Sequence, residues 1–452
     1  MKELTIGNIT AAVKGEYFGS PALAGTEIAS VTTDSRTATP GCLFAAIRGE
    51  NSDGHDYIAS AAARGTLCAL CECRPAGGAL PVIVVKNTVE ALGDLAAFYR
   101  SRFNIPVVGI TGSVGKTTAK EMVSAVLSQR FRVHKTQKNF NNGLGVPLTL
   151  FGLDNSCEAA AVELGISHFG EMHRLGEIVR PTMALYTTIG SAHLEYLGDF
   201  DGVLRAKTEL LEFLPRDGVV FANGDDAALR GLNCRQRIVR FGLAQDCAVR
   251  AERIRFLGVD GTAFEIVSGS RRFPSRINAY GVHMICVALG AAAVGLQLGL
   301  TDAEIAEGIA AYRPVGSRAG ILRTGRLTVI DDCYNANPNS VAAAVDSLSL
   351  LGGRRVCILG DMGELGKNAE ALHFETGAHA AGKGLELVIA CGTLSRRTAE
   401  GAEMAGGRAV YFPDKQALTA ALPSLIRTGD SVLVKASRSQ SFETLVEALK
   451  NL

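Results

Sequence analysis

Short apolar runs alternate with segments of helical periodicity along most of the chain. Near the middle, three runs have the length and composition of buried strands, at 107–110, 159–163 and 183–188. Three segments between and after them carry apolar residues at helical spacing, at 117–129, 170–178 and 202–213. Because strands that alternate with helices are typical of a parallel, doubly wound sheet, this pattern predicts an α/β fold.

The flanking regions show the same alternation. Toward the N-terminus, a short apolar run and a polar loop precede further helix and strand candidates, at 42–47, 57–64, 82–85 and 89–102. Toward the C-terminus, five strands separated by helical stretches form a Rossmann-like pattern, at 327–331, 355–359, 386–390, 408–412 and 431–435. A β-rich insert at 238–266 and an Ala/Gly-rich helix at 283–298 lie before this last region. We therefore expect three tandem α/β modules that span 1–103, 104–316 and 317–452.

Composition agrees with this division and excludes several classes of protein. The 452 residues correspond to about three domains of roughly 150 residues each. Lys plus Arg number 46 against 45 Asp plus Glu, so the whole chain carries no electrostatic signature of a nucleic-acid or membrane-surface protein. No apolar run reaches the ~18 residues of a membrane span, and the first residues lack a signal-peptide core. We expect a cytoplasmic protein without stable membrane insertion.

Eleven cysteines without an export signal indicate reduced thiols rather than a disulfide framework. Only Cys68, Cys71 and Cys73 cluster, and no second ligand pair lies at a spacing suitable for zinc. We interpret these three as small buried residues, with metal or redox chemistry as the alternative.

The strongest chemical signal is a glycine-rich turn between a strand and a helix. It consists of Thr111, Gly112, Ser113, Val114, Gly115, Lys116, Thr117 and Thr118. Backbone N–H groups of such a turn close around phosphate oxygens, and the helix N-terminus adds its positive end. Lys116 can reach the β- and γ-phosphates, and the Thr117 hydroxyl can bind Mg²⁺. Ile110 stands where the generic NTPase pattern has glycine, so this is a variant phosphate loop in a P-loop ATPase-type sheet.

Three further residues are candidate metal ligands. Glu163 ends a predicted strand, where open α/β sheets collect ligand-binding groups, and its carboxylate suits Mg²⁺. His193 follows the next strand, and Lys207 lies in the helix after it. Taken singly, His193 is more typical of a hydrogen-bonded structural histidine, and Lys207 is more typical of a solvated helix lysine.

The motifs together resemble the Mur ligase family of ATP-dependent enzymes, which make cytoplasmic peptidoglycan precursors. Residues 111–118 match the family's phosphate loop, which accounts for Ile110. Other matching stretches are 33–36, 44–51, 138–142, 163–172, 331–338 and 359–366. The last three are similar to the branch that adds D-alanyl-D-alanine, and the DNPR motif of the branch that adds the third amino acid is absent. The resemblance covers nearly the whole chain.

The resemblance implies a role for each module. The first would hold the UDP-sugar part of UDP-MurNAc-tripeptide, through Thr33, Asp34, Ser35, Arg36, Arg48, Gly49, Asp53, Gly54 and His55. The second would bind ATP and two Mg²⁺ ions, with Thr117, Glu163, His193 and a carbamylated Lys207 as metal ligands. Polar residues near the reacting carboxylate would be Asn139, Asn141 and Asn142. The third would complete the ATP site and bind D-Ala-D-Ala, through Arg318, Asp332, Asn335 and Lys435.

Two departures from the family pattern concern the nucleotide site. Val287 stands where the family often has an asparagine that faces the adenine, and His283 is a candidate to compensate. Ala436 replaces a glycine in the stretch that begins at Lys435.

The resemblance implies the ligation of D-Ala-D-Ala to the tripeptide through an acyl phosphate. The catalytic residues would be Lys116, His193, Lys207 and Arg318. The enzyme would be a monomer in the bacterial cytoplasm. The alternatives are another Mur ligase, a folylpolyglutamate synthase-like ligase, or a nucleotide-binding regulator without catalysis.

Overall fold

The computed structural model describes residues 1–75, 80–279 and 281–452. Its strands form three sheets of five, nine and six strands, which follow one another along the chain. The predicted fold class of three tandem α/β modules is confirmed. Among the described residues, no helix combines the length and apolarity needed to cross a bilayer.

The first sheet is small and mostly parallel. Its strands are β1 (Glu16–Phe18), β2 (Val31–Thr32), β3 (Leu43–Ala45), β4 (Cys68–Cys71) and β5 (Val82–Val84). Their order is β1-β5-β4-β3-β2, with β1 antiparallel to its neighbour. The helices of this module are α1 (Ile6–Ala12), α2 (Ile58–Ala62) and α3 (Thr88–Arg100). The buried Arg100 side chain donates to the Val179 carbonyl at 3.0 Å, which ties α3 to the central module.

The cysteine cluster is only partly as predicted. Cys68 and Cys71 are buried in β4, whereas Cys73 follows the strand and is exposed, so the prediction that all three are buried is wrong for Cys73. Burial raises the pKa of Cys68 to about 12 and that of Cys71 to about 11. Both buried thiols are therefore biased toward the protonated, unreactive form.

The central sheet carries the crossover that creates a binding crevice. Its strands are β6 (Val107–Thr111), β7 (Val133–Lys135), β8 (Ala159–Glu163), β9 (Met183–Tyr186), β10 (Val219–Asn223), β11 (Arg237–Gly242), β12 (Val249–Phe256), β13 (Thr262–Ser268) and β14 (Arg271–Ile277). Their order is β14-β13-β12-β11-β10-β9-β6-β8-β7, parallel from β7 to β12 and antiparallel beyond. The chain leaves β6 to build β7 and β8 on one side, then returns to build β9 on the other. Such a switch point opens a crevice at the carboxyl ends of the strands.

Eight helices accompany this sheet in the described part of the chain. They are α4 (Lys116–Leu127), α5 (Gly145–Leu150), α6 (Glu171–Val179), α7 (Leu194–Leu197), α8 (Phe200–Thr208), α9 (Ala227–Arg230), α10 (Val282–Gln297) and α11 (Asp302–Ala311). The Ala/Gly-rich α10 packs beside α4, because its small side chains allow close approach. The predicted helix 202–213 ends earlier, at Thr208, and continues as a 3₁₀ turn over Glu209–Phe213.

The third sheet is again mostly parallel. Its strands are β15 (Gly320–Arg323), β16 (Thr328–Asp331), β17 (Arg355–Gly360), β18 (Leu387–Cys391), β19 (Ala409–Phe412) and β20 (Ser431–Lys435), in the order β15-β16-β20-β17-β18-β19. Its helices are α12 (Pro338–Ser349), α13 (Ala369–Gly382), α14 (Ser395–Met404), α15 (Lys415–Leu425) and α16 (Glu443–Lys450). The edge strand β15 was not predicted, because its four half-exposed residues give no apolar run.

Candidate functional site

The phosphate loop lies at the switch point, between the end of β6 and the start of α4. Gly112 and Gly115 have φ angles of 148° and 84°, which side-chain-bearing residues rarely adopt. At Gly112 a Cβ atom would also lie 2.0 Å from Thr187 Oγ1. The loop therefore needs glycine for both conformation and space, and α4 begins directly after it at Lys116. Backbone N–H groups at such a helix start form a site for a phosphate anion.

The loop after β9 braces the phosphate loop. Thr187 Oγ1 donates to the Val114 carbonyl at 2.5 Å, and the Ser113 N–H donates to the Thr188 carbonyl at 2.6 Å. Ser113 Oγ in turn accepts from the Gly190 N–H at 2.9 Å. The sequence predicted a strand through residue 188, but β9 ends at Tyr186 because the next residues bond to the loop. The bracing role of Thr187 was not predicted.

Lys116 is the first residue of α4, and its side chain folds back onto the phosphate loop. Its Nζ donates to the Gly112 carbonyl at 2.8 Å. Burial lowers the pKa of Lys116, the charge of Arg318 lowers it further, and the Glu163 carboxylate opposes both. The site thus concentrates positive charge beside one carboxylate, as an anionic ligand requires.

Glu163 meets the phosphate loop at the carboxyl end of β8. Its Oε1 accepts from Thr117 Oγ1 at 3.0 Å and from Asn141 Nδ2 at 2.8 Å. Its Oε2 is buried and has no hydrogen-bond partner in the described structure. A buried carboxylate oxygen without a partner is costly, and a divalent cation would satisfy it. Thr117 and Glu163 therefore fit a Mg²⁺ ion.

This cation site is open rather than self-contained. Among the described residues, no three His, Cys, Asp or Glu side chains form a group that could enclose a metal. Mg²⁺ usually takes one or two protein ligands and completes its shell with substrate phosphates and water. The chemistry of the donor set matches an ion that arrives with a nucleotide.

His193 and Lys207 both lie near Lys116, whose charge acts on each of them. Lys207 is 1% exposed, and its Nζ forms no hydrogen bond or ion pair with any other described residue. Burial and the charge of Lys116 hold the pKa of Lys207 well below its usual range. Burial also lowers the pKa of His193. The nearby Glu364 carboxylate acts in the opposite direction and raises it. Both groups are therefore biased toward their neutral forms.

The other two predicted asparagines form no hydrogen bond with the Glu163 carboxylate in the described structure. Asn139 and Asn142 are exposed in the loop before α5. Asn142 Oδ1 accepts from the Gly145 N–H at 2.9 Å, so this side chain orders the start of α5. Of the three, only Asn141 contacts Glu163.

The C-terminal module contributes residues from the ends of β16 and β20 and from the segment just before β15. Lys435 is 3% exposed and donates to Asp332 Oδ2 at 2.6 Å and to the Asn335 carbonyl at 3.0 Å. Arg318 stacks on Tyr334, with 3.7 Å between the guanidinium carbon and the ring centre. Lys435 is thus an internal partner of Asp332, whereas Arg318 lies near enough to the phosphate loop for its charge to lower the pKa of Lys116.

The two departures from the family pattern have different surroundings. Ala436 is fully buried, and its methyl group faces Gly360, where a Cβ atom would come within 2.7 Å of it. The larger residue is therefore accommodated by the C-terminal core. Val287 lies by the phosphate loop, with its Cγ2 3.8 Å from a Cβ built on Gly115. His283 instead contacts the C-terminal module, with its Nδ1 3.3 Å from Ser347 Oγ.

The polar residues of the first module form two small networks. Asp34 accepts three hydrogen bonds from the Arg36 guanidinium and one from the Arg36 N–H, which lowers the pKa of Asp34 to about 2. Asp53 accepts from the His55 N–H at 3.0 Å and from Arg48 Nε at 3.0 Å, and its pKa falls to about 2. A Cβ at Gly54 would lie 2.6 Å from Ile47 backbone atoms, so the loop needs glycine there.

Two contacts across the domain boundary were not predicted. Asn339 Oδ1 accepts from the Ser191 N–H at 2.9 Å, and the Glu364 carboxylate lies 2.5 Å from His193 Nδ1. Glu364 is in the 359–366 motif noted in the sequence, but nothing there indicates which residue it meets.

Comparison with known proteins follows the same three-part division. The Mur ligase family catalytic domain matches residues 27–100, the Mur ligase middle domain matches 110–295, and the Mur ligase glutamate ligase domain matches 317–438.

Similarity to individual proteins covers the full chain. The UDP-N-acetylmuramoyl-tripeptide–D-alanyl-D-alanine ligase of Escherichia coli (strain K12) is 36% identical, over 100% of this chain and 99% of the relative. The ligase of the same name from Bacillus subtilis (strain 168) is 34% identical, over 99% of each chain. The crystal structure of MurF from Acinetobacter baumannii has a TM-score of 0.91 at 31% identity, over 99% of each chain. This chain therefore belongs to the Mur ligase family.

Proposed function

We propose that this chain uses ATP to join D-alanyl-D-alanine to UDP-N-acetylmuramoyl-tripeptide, giving the pentapeptide precursor of peptidoglycan. Membership of the family makes it an ATP-dependent, ADP-forming ligase. The observation that carries the proposal is the meeting of Lys116, Thr117 and the unpartnered Glu163 carboxylate oxygen at the switch point. The substrates follow from relatives of that name, which match the chain from end to end.

The reaction consists of two transfers. The tripeptide carboxylate attacks the γ-phosphorus of ATP, which forms an acyl phosphate and releases ADP. The dipeptide amine then attacks the acyl carbon, loses a proton, and expels phosphate as the amide bond forms. Lys116 and Arg318 stabilise the negative charge that spreads over the transferring phosphoryl group. When bound, Mg²⁺ supplies further positive charge at the phosphate oxygens.

The three modules divide this work. The networks around Asp34 and Asp53 present Arg36 and Arg48 at the surface of the first module, where arginine suits a diphosphate. The central module, 104–316, binds ATP and metal. The third, 317–452, closes the nucleotide site with Arg318, Asp332 and Asn335 and receives the dipeptide. Because one chain supplies all of these groups, a monomer is sufficient, and we place it in the bacterial cytoplasm with its precursor substrates.

Lys207 is proposed to carry a carbamate. Its amine is buried, without a hydrogen-bond partner in the described structure, and biased toward the neutral form that reacts with CO₂. The amine nitrogen bonds to the CO₂ carbon and releases a proton, which leaves a carboxylate-like group. With His193, that group would provide ligands for a second Mg²⁺.

One experiment separates this function from its alternatives. Phosphate release should require ATP together with both UDP-MurNAc-tripeptide and D-Ala-D-Ala. Release with a free amino acid in place of the dipeptide would indicate another Mur ligase. Release with a folate and glutamate would indicate a folylpolyglutamate synthase-like enzyme. Nucleotide binding without release under any of these conditions would indicate a regulator.

Glu163→Gln should raise the Mg²⁺ concentration needed for half-maximal activity by about 10-fold or more. The amide oxygen can still accept from Thr117 and Asn141, but the charge that attracts the cation is lost. A Mg²⁺ titration of phosphate release measures the change. Glu158→Gln, at an exposed carboxylate just before β8, is the matched control. An unchanged Mg²⁺ requirement in Glu163→Gln would contradict the assignment of this ligand.

A further inference from the structure

The segment that carries His193 is held at both ends by the C-terminal module. Before it, Asn339 Oδ1 accepts from the Ser191 N–H at 2.9 Å and from Ser191 Oγ at 2.8 Å. A Cβ at Gly190 would lie 2.5 Å from Asn339 Oδ1, so the chain approaches closely only because this residue is glycine. After it, Gly366 packs on Glu195, where a Cβ would lie 3.4 Å from the Glu195 Cα.

Between these two supports, Glu364 meets His193. The carboxylate Oε2 lies 2.5 Å from the ring Nδ1, although the two groups do not meet hydrogen-bond geometry in the described structure. Both residues have left-handed backbone conformations, with φ angles of 59° and 58°. Non-glycine residues in this region are strained, and such strain persists where the surroundings enforce it. Two strained residues from different modules thus face each other beside the phosphate loop.

The geometry points to Glu364 as a positioning residue that orients His193 for the second cation, so that cation binding depends on docking of the C-terminal module. This rests on the proposed function, in which His193 is a ligand of that cation. A carboxylate at Nδ1 fixes the proton there and leaves Nε2 as the ligand atom. Glu364 itself does not need to touch the cation.

Docking and cation binding would then favour each other. The cation site is complete only when Glu364 reaches His193, and a bound cation fixes His193 where Glu364 can hold it. Coupling of this kind is reciprocal. An enzyme so built would retain its second cation chiefly when the module that receives the dipeptide is in place.

The test uses Mn²⁺ in place of Mg²⁺, because the electron paramagnetic resonance signal of free Mn²⁺ reports binding directly. The full chain is titrated in the presence of ADP, which needs no turnover. Glu364→Ala should weaken the weaker class of Mn²⁺ site about 10- to 100-fold. Glu364→Gln should lose less, because its amide oxygen still accepts from Nδ1–H. Glu375→Ala, at an exposed glutamate of α13, is the matched control and should bind as the wild type does.

Two further variants test the mechanism of coupling. Asn339→Ala should weaken the same site by about fivefold, although Asn339 contacts none of the proposed ligands. Adding Glu364→Ala to His193→Ala should cause no further loss, because the carboxylate acts through the ring. In turnover assays, Glu364→Ala should raise the Mg²⁺ requirement and recover kcat at saturating Mg²⁺, which a misfolded variant would not do.

Several outcomes would overturn the inference. The first is that Glu364→Ala binds Mn²⁺ as tightly as the wild type or more tightly. The second is that the Ala and Gln variants lose equal Mn²⁺ affinity. The third is that the losses of Mn²⁺ affinity in Glu364→Ala and His193→Ala add up in the double variant. A single class of Mn²⁺ site in the wild-type ADP complex would also overturn it. Failure of the proposed ligase reaction is a separate result, seen as absent phosphate release by the wild type, and the ADP titration does not depend on it.

Discussion

Replacing Lys116 with alanine should abolish ATP consumption with both substrates present, with a fall in kcat/KM of about 10³-fold or more. The amine lies inside the phosphate loop, held by the Gly112 carbonyl, at the end of the crevice where Glu163 and Arg318 also act on it. Among these groups Lys116 alone extends from the first residue of α4. Its removal takes away a positive charge that the loop would direct at the phosphoryl group.

Phosphate release measures the effect, and nucleotide binding separates its causes. ADP should still bind to Lys116→Ala through the backbone of the loop, because the glycines and the start of α4 are unchanged. Lys450→Ala, at a lysine of the last helix, controls for the loss of one positive charge elsewhere. Near-normal turnover by Lys116→Ala would remove the basis for assigning ATP chemistry to this loop.

Local features of the fold were predictable, and features set by distant contacts were not. The strand, turn and helix around the phosphate loop follow from an apolar run, two glycines and an amphipathic segment, all within a few residues. The strands β1 and β2 have three and two residues, which is too short for any periodicity to be recognised. Cys73 lies two residues after the end of β4, where the chain is exposed. A shift of one or two residues in the predicted end of the strand changes whether such a residue is buried.

The candidate site divides in the same way. Residue types predicted Lys116, Thr117 and Glu163, because a strand end beside a phosphate loop is a recurrent place for a cation. The contacts of His193 with Glu364 and of Ser191 with Asn339 join modules that are far apart in sequence. Their partners depend on how the modules dock, and no local pattern encodes that arrangement. Lys435, by contrast, forms its ion pair within its own module, with Asp332.

Lys207 is the residue whose surroundings are hardest to reconcile with an unmodified side chain. An amine with 1% exposure, near Lys116 and without a hydrogen-bond partner in the described structure, is costly when charged. The lowered pKa biases it toward the neutral amine instead, but a neutral amine brings no charge to a cation site. The proposed carbamate would resolve both difficulties, because it would form from the neutral amine and offer carboxylate oxygens to Mg²⁺.

Lys207→Ala should therefore lower the rate of phosphate release by about 10²-fold or more, and short carboxylic acids should restore part of it. The truncated side chain leaves space near His193 that formate or acetate can enter, and their oxygens would replace those of the proposed carbamate. Lys207→Met is the matched control: it fills the same space with an apolar chain, so these acids should not restore it. Loss without rescue in Lys207→Ala would contradict the carbamate and favour the amine, whereas full activity without added acid would exclude any metal role for this residue. Bicarbonate labelled with ¹³C should in addition give a carbamate signal in the wild type that both variants lack.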